Sequence, residues 1–228
     1  MEKKDLQAKL IILQDRDYQS FQYKLIPTIN PNTIIGVRTP DLRNIAKELA
    51  KDSYKEAFIK DLPHQYFEEN QIHSFLIGLE KDYDKCLSMI ETFLPYIDNW
   101  ATCDQATPKA LIKNPDKTIA SINRWIKTNK PYYIRYAVGI LLALFLDDLF
   151  KKEYLDIVAN IKSEEYYVQM MQGWYFATAL VKQYDDAIKY IEDNKLDKVV
   201  NNITIKKAIE SYRISDNQKE YLKKFRIK

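Results

Sequence analysis

Two residues of the chain, Trp100 and Asp104, have types and a spacing that suit chemistry on a positively charged group. They lie four positions apart, and on a helix that spacing puts an indole and a carboxylate on the same face. The face of an indole is electron-rich and a carboxylate carries a full negative charge. Together they would stabilise a cationic substrate, or one in which positive charge develops. Each also has an ordinary interpretation: Trp100 alone suits a core, and Asp104 suits a helix surface or cap.

The composition favours an all-α fold and gives little support to metal chemistry. The 228 residues contain only 4 glycines, whereas sheet-rich and dinucleotide-binding folds need more glycine for turns and phosphate loops. The two histidines, His64 and His73, and the two cysteines, Cys86 and Cys103, lack the spacing of zinc ligands. We therefore expect no metal and no cofactor. The low cysteine count and a charged start without a signal-peptide apolar region indicate a cytoplasmic protein.

The charge is unevenly distributed along the chain. The net charge is +3, but residues 201–228 hold eight basic and three acidic residues, so this end carries +5 and the rest −2. A basic end on a near-neutral body is one footprint of a protein that binds phosphates. A solvated, Lys-rich terminal helix explains the same charge. The longest apolar run, Ala137–Leu146, is too short to span a bilayer, so we expect no membrane partner.

A repeat of 34 residues predicts paired helices that stack side by side. Tyr132–Ile140 aligns with Tyr166–Trp174, each match precedes a long apolar helix, and a smaller helix over Lys152–Ile161 lies between them. Prolines and turn residues cut the rest of the chain into short helices, without strand or hairpin signals. No low-complexity linker divides the chain. We therefore expect one domain over residues 1–228, with a concave face lined by the second helix of each pair.

That concave face would collect the residues that could do chemistry. Four of them lie near the start or middle of expected second helices: Trp100, Asp104, Arg135 and Trp174. Arg135 also suits an ion pair with a neighbouring helix, and Trp174, beside Tyr175 and Phe176, also suits the core. A stacked helical scaffold by itself does not identify a function, because such scaffolds bind proteins, peptides or nucleic acids.

The same residues carry a resemblance to a known family. The chain resembles the HEAT-like-repeat DNA glycosylases of the bacterial DNA alkylation repair family over nearly its whole length. The resemblance rests on Trp100 and Asp104 in NWATCD, Arg135 in YYIRYAVGILL, Trp174 in YYVQMMQGWYFATALVKQY, Ile35–Arg43 near the start, and Asn194–Leu196 with Lys206–Ile209 near the end. It implies a right-handed α-α superhelix of antiparallel helix pairs with a concave groove. It divides the chain into N-terminal helices (1–33), a repeat core (34–213) and a basic C-terminal helix (214–228).

The resemblance also implies an activity and a partner. The family's substrates are purines alkylated at N3 or N7, whose positive charge weakens the glycosidic bond. Asp104 would stabilise the cationic sugar and orient water, Trp100 and Trp174 would contact the sugar and backbone, and Arg135 would hold a phosphate. We expect a monomer that binds double-stranded DNA containing alkylated bases. Candidate DNA-binding residues along the groove are Arg38, Arg43, Lys109, Lys113, Asn201, Asn202, Thr204, Lys206 and Lys207.

Two hypotheses of different classes follow. The first is a DNA glycosylase that needs no metal and releases N3- or N7-alkylated purines, with Asp104 as the catalytic carboxylate. The second is a non-catalytic HEAT-like scaffold that binds DNA or a protein partner. The segment before residue 34 matches the active enzymes least well, and this divergence keeps the second hypothesis open.

Overall fold

The computed structural model describes residues 1–228 and is all-helical, which confirms the predicted fold class. None of its helices combines the length and apolarity that crossing a membrane requires. The chain divides into two compact units, Met1–Pro115 and Asp116–Lys228. The superhelical arrangement and the single domain over 1–228 stay predictions.

The first unit is organised around one buried helix, α5. Ten of the residues in α5 are buried, and the helix packs against α3, α6 and α7. The helices of this unit are α1 (Lys3–Ile12), α2 (Arg16–Leu25), α3 (Thr39–Leu49), α4 (Lys55–Lys60), α5 (Phe67–Leu79), α6 (Tyr83–Phe93) and α7 (Trp100–Cys103). Three short 3-10 helices accompany them, at Pro31–Thr33, Leu94–Tyr96 and Lys109–Lys113.

The second unit is built around α11, which packs against α9, α10, α12 and α13. Its helices are α8 (Pro115–Lys127, starting at the last residue of the first unit), α9 (Pro131–Leu144), α10 (Glu153–Ala159), α11 (Tyr166–Lys182), α12 (Tyr184–Glu192), α13 (Lys198–Glu210) and α14 (Asp216–Lys223). The two segments aligned in the sequence begin α9 and α11. Because α9 and α11 lie side by side, the 34-residue offset relates two neighbouring helices.

A buried carboxylate fixes the N-terminal helices of the first unit. The side chain of Glu68 on α5 is 1% exposed and accepts hydrogen bonds from the backbone N–H groups of Ile35, Gly36 and Val37 at 3.0, 2.7 and 3.3 Å. Burial raises the pKa of Glu68, although these three donors act in the opposite direction. Gly36 has a φ of +96° and lies against Asp15, so a side chain there would be strained and would collide with the Asp15 carbonyl. The segment between α2 and α3 is therefore fixed by the Glu68 carboxylate on one side and by close packing on Asp15 on the other.

A pair of histidines packs among aromatic rings in the same unit. His64 Nε2 lies 2.9 Å from His73 Nδ1, His64 stacks on Phe58 at 4.4 Å, and His73 stacks on Phe93 at 4.0 Å. Burial lowers the pKa of His64 to about 4 and holds that of His73 well below its usual range. Both imidazoles are therefore neutral at pH 7, and they serve as core rings.

The first unit should lose stability in mild acid because of this pair. Below pH 6.5 the unfolded imidazole takes up a proton that the folded His64 does not bind until about pH 4. Between pH 7 and 5 the free energy of unfolding should fall by about 2 kcal/mol from His64 alone. Urea unfolding at both pH values measures this loss. His64→Gln keeps an amide near the position of Nε2 but cannot take up the proton, so its free energy of unfolding should fall less between pH 7 and 5. An identical loss in the variant would contradict the explanation.

Candidate functional site

The Trp100–Asp104 segment forms a single helical turn. Asn99 caps the turn, since its side-chain oxygen accepts a hydrogen bond from the Thr102 N–H at 2.8 Å. The Asp104 N–H donates to the Trp100 carbonyl at 3.0 Å, which closes the turn. The helical spacing expected from the sequence is therefore present, with Trp100 at the start and Asp104 at the end of the turn.

Buried polar side chains fix this turn to α5. Thr102 is 1% exposed, and its hydroxyl oxygen accepts hydrogen bonds from Gln71 Nε2 at 2.9 Å and from Asn99 Nδ2 at 3.0 Å. Ser74 Oγ donates to the Thr102 carbonyl at 3.0 Å. Hydrogen bonds in a buried site are costly to leave unmade, so this network gives the turn one position on α5. We call these four side chains the Thr102 network.

Trp100 is half-buried and is held from the N-terminal side as well. Its indole N–H donates to the Leu25 carbonyl at 3.2 Å, and the ring packs on a buried cluster that includes Ile26, Ile34 and Phe67. Asp104 is also half-buried. Trp100 therefore contacts the end of α2 and the segment after it, so the N-terminal part of the chain contributes to this region.

Trp174, on α11 in the second unit, is partly exposed and lines an open groove. Its side chain is 43% exposed, so the alternative interpretation as a core residue does not hold. The groove has a volume of about 300 Å³ and includes the cations Lys207 and Arg213 and the carboxylate of Glu210. α11 and α13 approach so closely beside the groove that a side chain at Gly173 would collide with Ile203. Sequence reasoning missed Arg213, which follows the end of α13 and has no helical pattern that would place it.

Arg135 differs from its predicted role as a phosphate contact. The residue is only 5% exposed, and its Nη1 donates to the Tyr167 carbonyl at 2.7 Å. Its guanidinium thus joins α9 to the start of α11, and little of it reaches solvent. The alternative from the sequence, an ion pair with a carboxylate on a neighbouring helix, has the right neighbour in α11, but the acceptor is a backbone carbonyl.

The three neutral donors predicted to bind DNA are used within the chain. Thr204 is fully buried and donates to the Val200 carbonyl. Asn201 is 2% exposed and donates to the Phe225 carbonyl, and Asn202 exchanges two hydrogen bonds with the backbone of Ile227. These predictions are corrected: Asn201 and Asn202 hold the end of the chain against α13, and the Thr204 hydroxyl bonds within α13 itself.

The predicted cations are more accessible. Lys109 and Lys206 are exposed, and Lys207 lines the Trp174 groove. Lys113 is exposed and donates to the Lys81 carbonyl at 2.8 Å. Their positions are compatible with phosphate contacts.

The two predicted arginines near the N-terminus are exposed but already have partners. Arg38 donates to Asp15 through Nε and Nη2, at 3.0 and 2.7 Å. Arg43 donates to Gln105 at 2.8 Å. Arg38 therefore pairs with a carboxylate, whereas the partner of Arg43 is a neutral amide.

The four residues predicted to share a site divide between the units. Trp100 and Asp104 belong to the first unit, and Arg135 and Trp174 to the second. A site built from all four stays a prediction. No group of three or more His, Cys, Asp or Glu side chains is placed to hold a metal ion.

Comparison with known proteins identifies one family. The sequence model of a family described as DNA alkylation repair enzyme matches residues 6–212 of the chain. No curated protein matches. The family match covers all four residues of the predicted site and ends one residue before Arg213.

The Thr102 network should contribute measurably to stability. Thr102→Val keeps the shape of the side chain but leaves the buried Gln71 amide without its acceptor and removes one of the two acceptors of the Asn99 amide, which should lower the free energy of unfolding by about 1–3 kcal/mol. Urea unfolding followed by tryptophan fluorescence measures the change. In the control variant Thr92→Val, an exposed hydroxyl that donates to the Ser88 carbonyl is lost, and the change should stay within about 0.5 kcal/mol. Equal effects in both variants would contradict the role of the network.

Proposed function

This chain belongs to the family of DNA alkylation repair enzymes, and on that premise we propose that it is a DNA glycosylase. The proposed reaction is hydrolysis of the N-glycosidic bond of purines alkylated at N3 or N7. The observation that carries the proposal is the Trp100–Asp104 turn: an indole and a carboxylate at the two ends of one helical turn, held on α5 by the buried Thr102 network. A turn of four residues would not persist alone in water, so these contacts maintain its geometry.

The main requirement of this reaction is electrostatic stabilisation of the sugar, because the charged base is already a good leaving group. Alkylation at N3 or N7 gives the base a positive charge, so the base can depart as a neutral molecule with the electron pair of the C1′–N bond. Positive charge moves to the sugar as that bond breaks, and a carboxylate nearby stabilises it. The oxygen of a water molecule then bonds to C1′, and the proton that it loses passes to the carboxylate or to solvent. Asp104 takes this role in the proposal.

The indoles support the same charge. The electron-rich face of Trp100 or Trp174 attracts a cationic sugar, and the attraction is greatest where water is excluded. Trp174 is 43% exposed beside the second unit's groove, so its ring is accessible to DNA. Arg135, at 5% exposure, acts in this proposal mainly by holding α9 to the start of α11, the helix that carries Trp174.

Affinity for DNA would come from exposed cations. Lys207 and Arg213 line the Trp174 groove, and Arg43, Lys109, Lys113 and Lys206 lie on the surface of their units. Each phosphate that a cation neutralises releases counterions, so binding should weaken as salt increases. Arg38 would have to exchange its carboxylate partner Asp15 for a phosphate, and we expect it to contribute less.

Asp104→Asn should abolish base release and preserve DNA binding. The amide keeps the size of the side chain but carries no charge, so single-turnover release of 7-methylguanine from randomly methylated DNA should slow by at least about 100-fold. Chromatography of the released bases measures the rate, and binding to unmethylated duplex should change by less than about threefold.

Asp148→Asn is the matched control, because Asp148 is an exposed carboxylate in the second unit and its loss alters the net charge equally. This variant should release the base at the wild-type rate. Release by Asp104→Asn at that same rate would contradict the assignment of Asp104. Absence of release from the wild type would contradict the glycosylase and leave a DNA-binding scaffold.

A further inference from the structure

A second groove, on the first unit, has the chemistry of an anion site. Its volume is about 260 Å³, and it lies where α3, α5 and the segment after α7 meet. Two cations one turn apart on α3, Arg43 and Lys47, form one wall. No carboxylate lines it; the remaining lining residues are Phe75, Gly78, Leu79, Gln105 and Thr107. We call it the Arg43 groove.

Arg43 is held in a fixed orientation over this groove. Its guanidinium carbon lies 4.4 Å from the centre of the Phe75 ring, and its Nη2 donates to Gln105 Oε1 at 2.8 Å. Stacking and one hydrogen bond restrain the plane of the guanidinium, while most of its five N–H donors remain for another acceptor. A planar fork of donors fixed in this way matches the oxygens of a phosphate.

Gly78 gives independent support for an open groove. It is the next-to-last residue of α5 and is exposed. A Cβ atom at this position would meet nothing within 4 Å, so neither backbone conformation nor close packing requires glycine here. The space in front of Gly78 belongs to the groove. A larger side chain would therefore fill the groove without disturbing the core.

We propose that the Arg43 groove holds a backbone phosphate of DNA close to the lesion, an inference that rests on the proposed glycosylase function. Gln105 directly follows Asp104, so the groove and the proposed catalytic carboxylate lie next to each other on the same unit. Arg43 and Lys47 supply the charge, and Thr107 is a neutral donor. Gln105 is a positioning residue, because it acts by orienting Arg43.

Filling the groove should weaken DNA binding without slowing the chemical step. For Gly78→Leu we expect the Kd for a methylated duplex to rise about tenfold and the slope of log K against log salt to decrease in magnitude by about one. The single-turnover rate at saturating enzyme should stay within about twofold of the wild type. Gly78→Ala, which adds only one methyl group, is the control and should bind like the wild type.

A second variant tests the same groove without changing residue 78. Gln105→Leu removes the acceptor that orients Arg43, and it should raise Kd in the same direction by about threefold to tenfold. Unchanged Kd and salt slope in Gly78→Leu and Gln105→Leu, with base release intact, would overturn the groove proposal and leave the glycosylase standing. A reduced salt slope in a protein that releases no base would support the groove as a DNA site and overturn the glycosylase instead.

Discussion

The contact between Thr102 and α5 is the constraint on which the proposed site depends. A turn as short as Trp100–Cys103 has almost no stability of its own, and its hydrogen bonds to Gln71 and Ser74 are buried where water cannot replace them. Apolar contacts support the turn as well, because Trp100 and Ala101 pack on a buried cluster that includes the segment after α2, and Cys103 is buried. The buried hydrogen bonds add contacts that are specific in direction, as a site for a reacting sugar requires.

Each unit presents its functional side chains from the edge of a single buried helix. In the first unit α5 carries Gln71 and Ser74 toward the turn and Phe75 and Gly78 toward the Arg43 groove. In the second unit α11 carries Trp174, and α13 approaches closely enough at Gly173 to bring Lys207 beside the indole. In each unit the central helix therefore carries an aromatic ring, and a neighbouring helix places a cation beside it. This pairing suits a strand of nucleic acid.

Short-range patterns in the sequence predicted the features that depend on neighbouring residues along the chain. The all-α class, the helices α9 and α11, and the common face of Trp100 and Asp104 follow from apolar periodicity, proline positions and a spacing of four. Long-range contacts decided the rest. The sequence suggests exposed amides at Asn201 and Asn202, but both donate hydrogen bonds to backbone carbonyls near the end of the chain. It suggests a surface cation at Arg135, but this guanidinium donates to the Tyr167 carbonyl of α11. The Arg43 groove depends on Gln105, 62 residues away in the chain, so no local pattern could reveal it.

If the protein acts on the positive charge of the alkylated base, it should distinguish two substrates that differ in that charge. Two duplexes would each carry a single methylated guanine, one at N7, where the base is cationic, and one at O6, where it is neutral. We expect single-turnover release of 7-methylguanine and no release of O6-methylguanine, because only the cationic base can depart without protonation. Equal release of both bases would show that the reaction does not depend on the charge of the base.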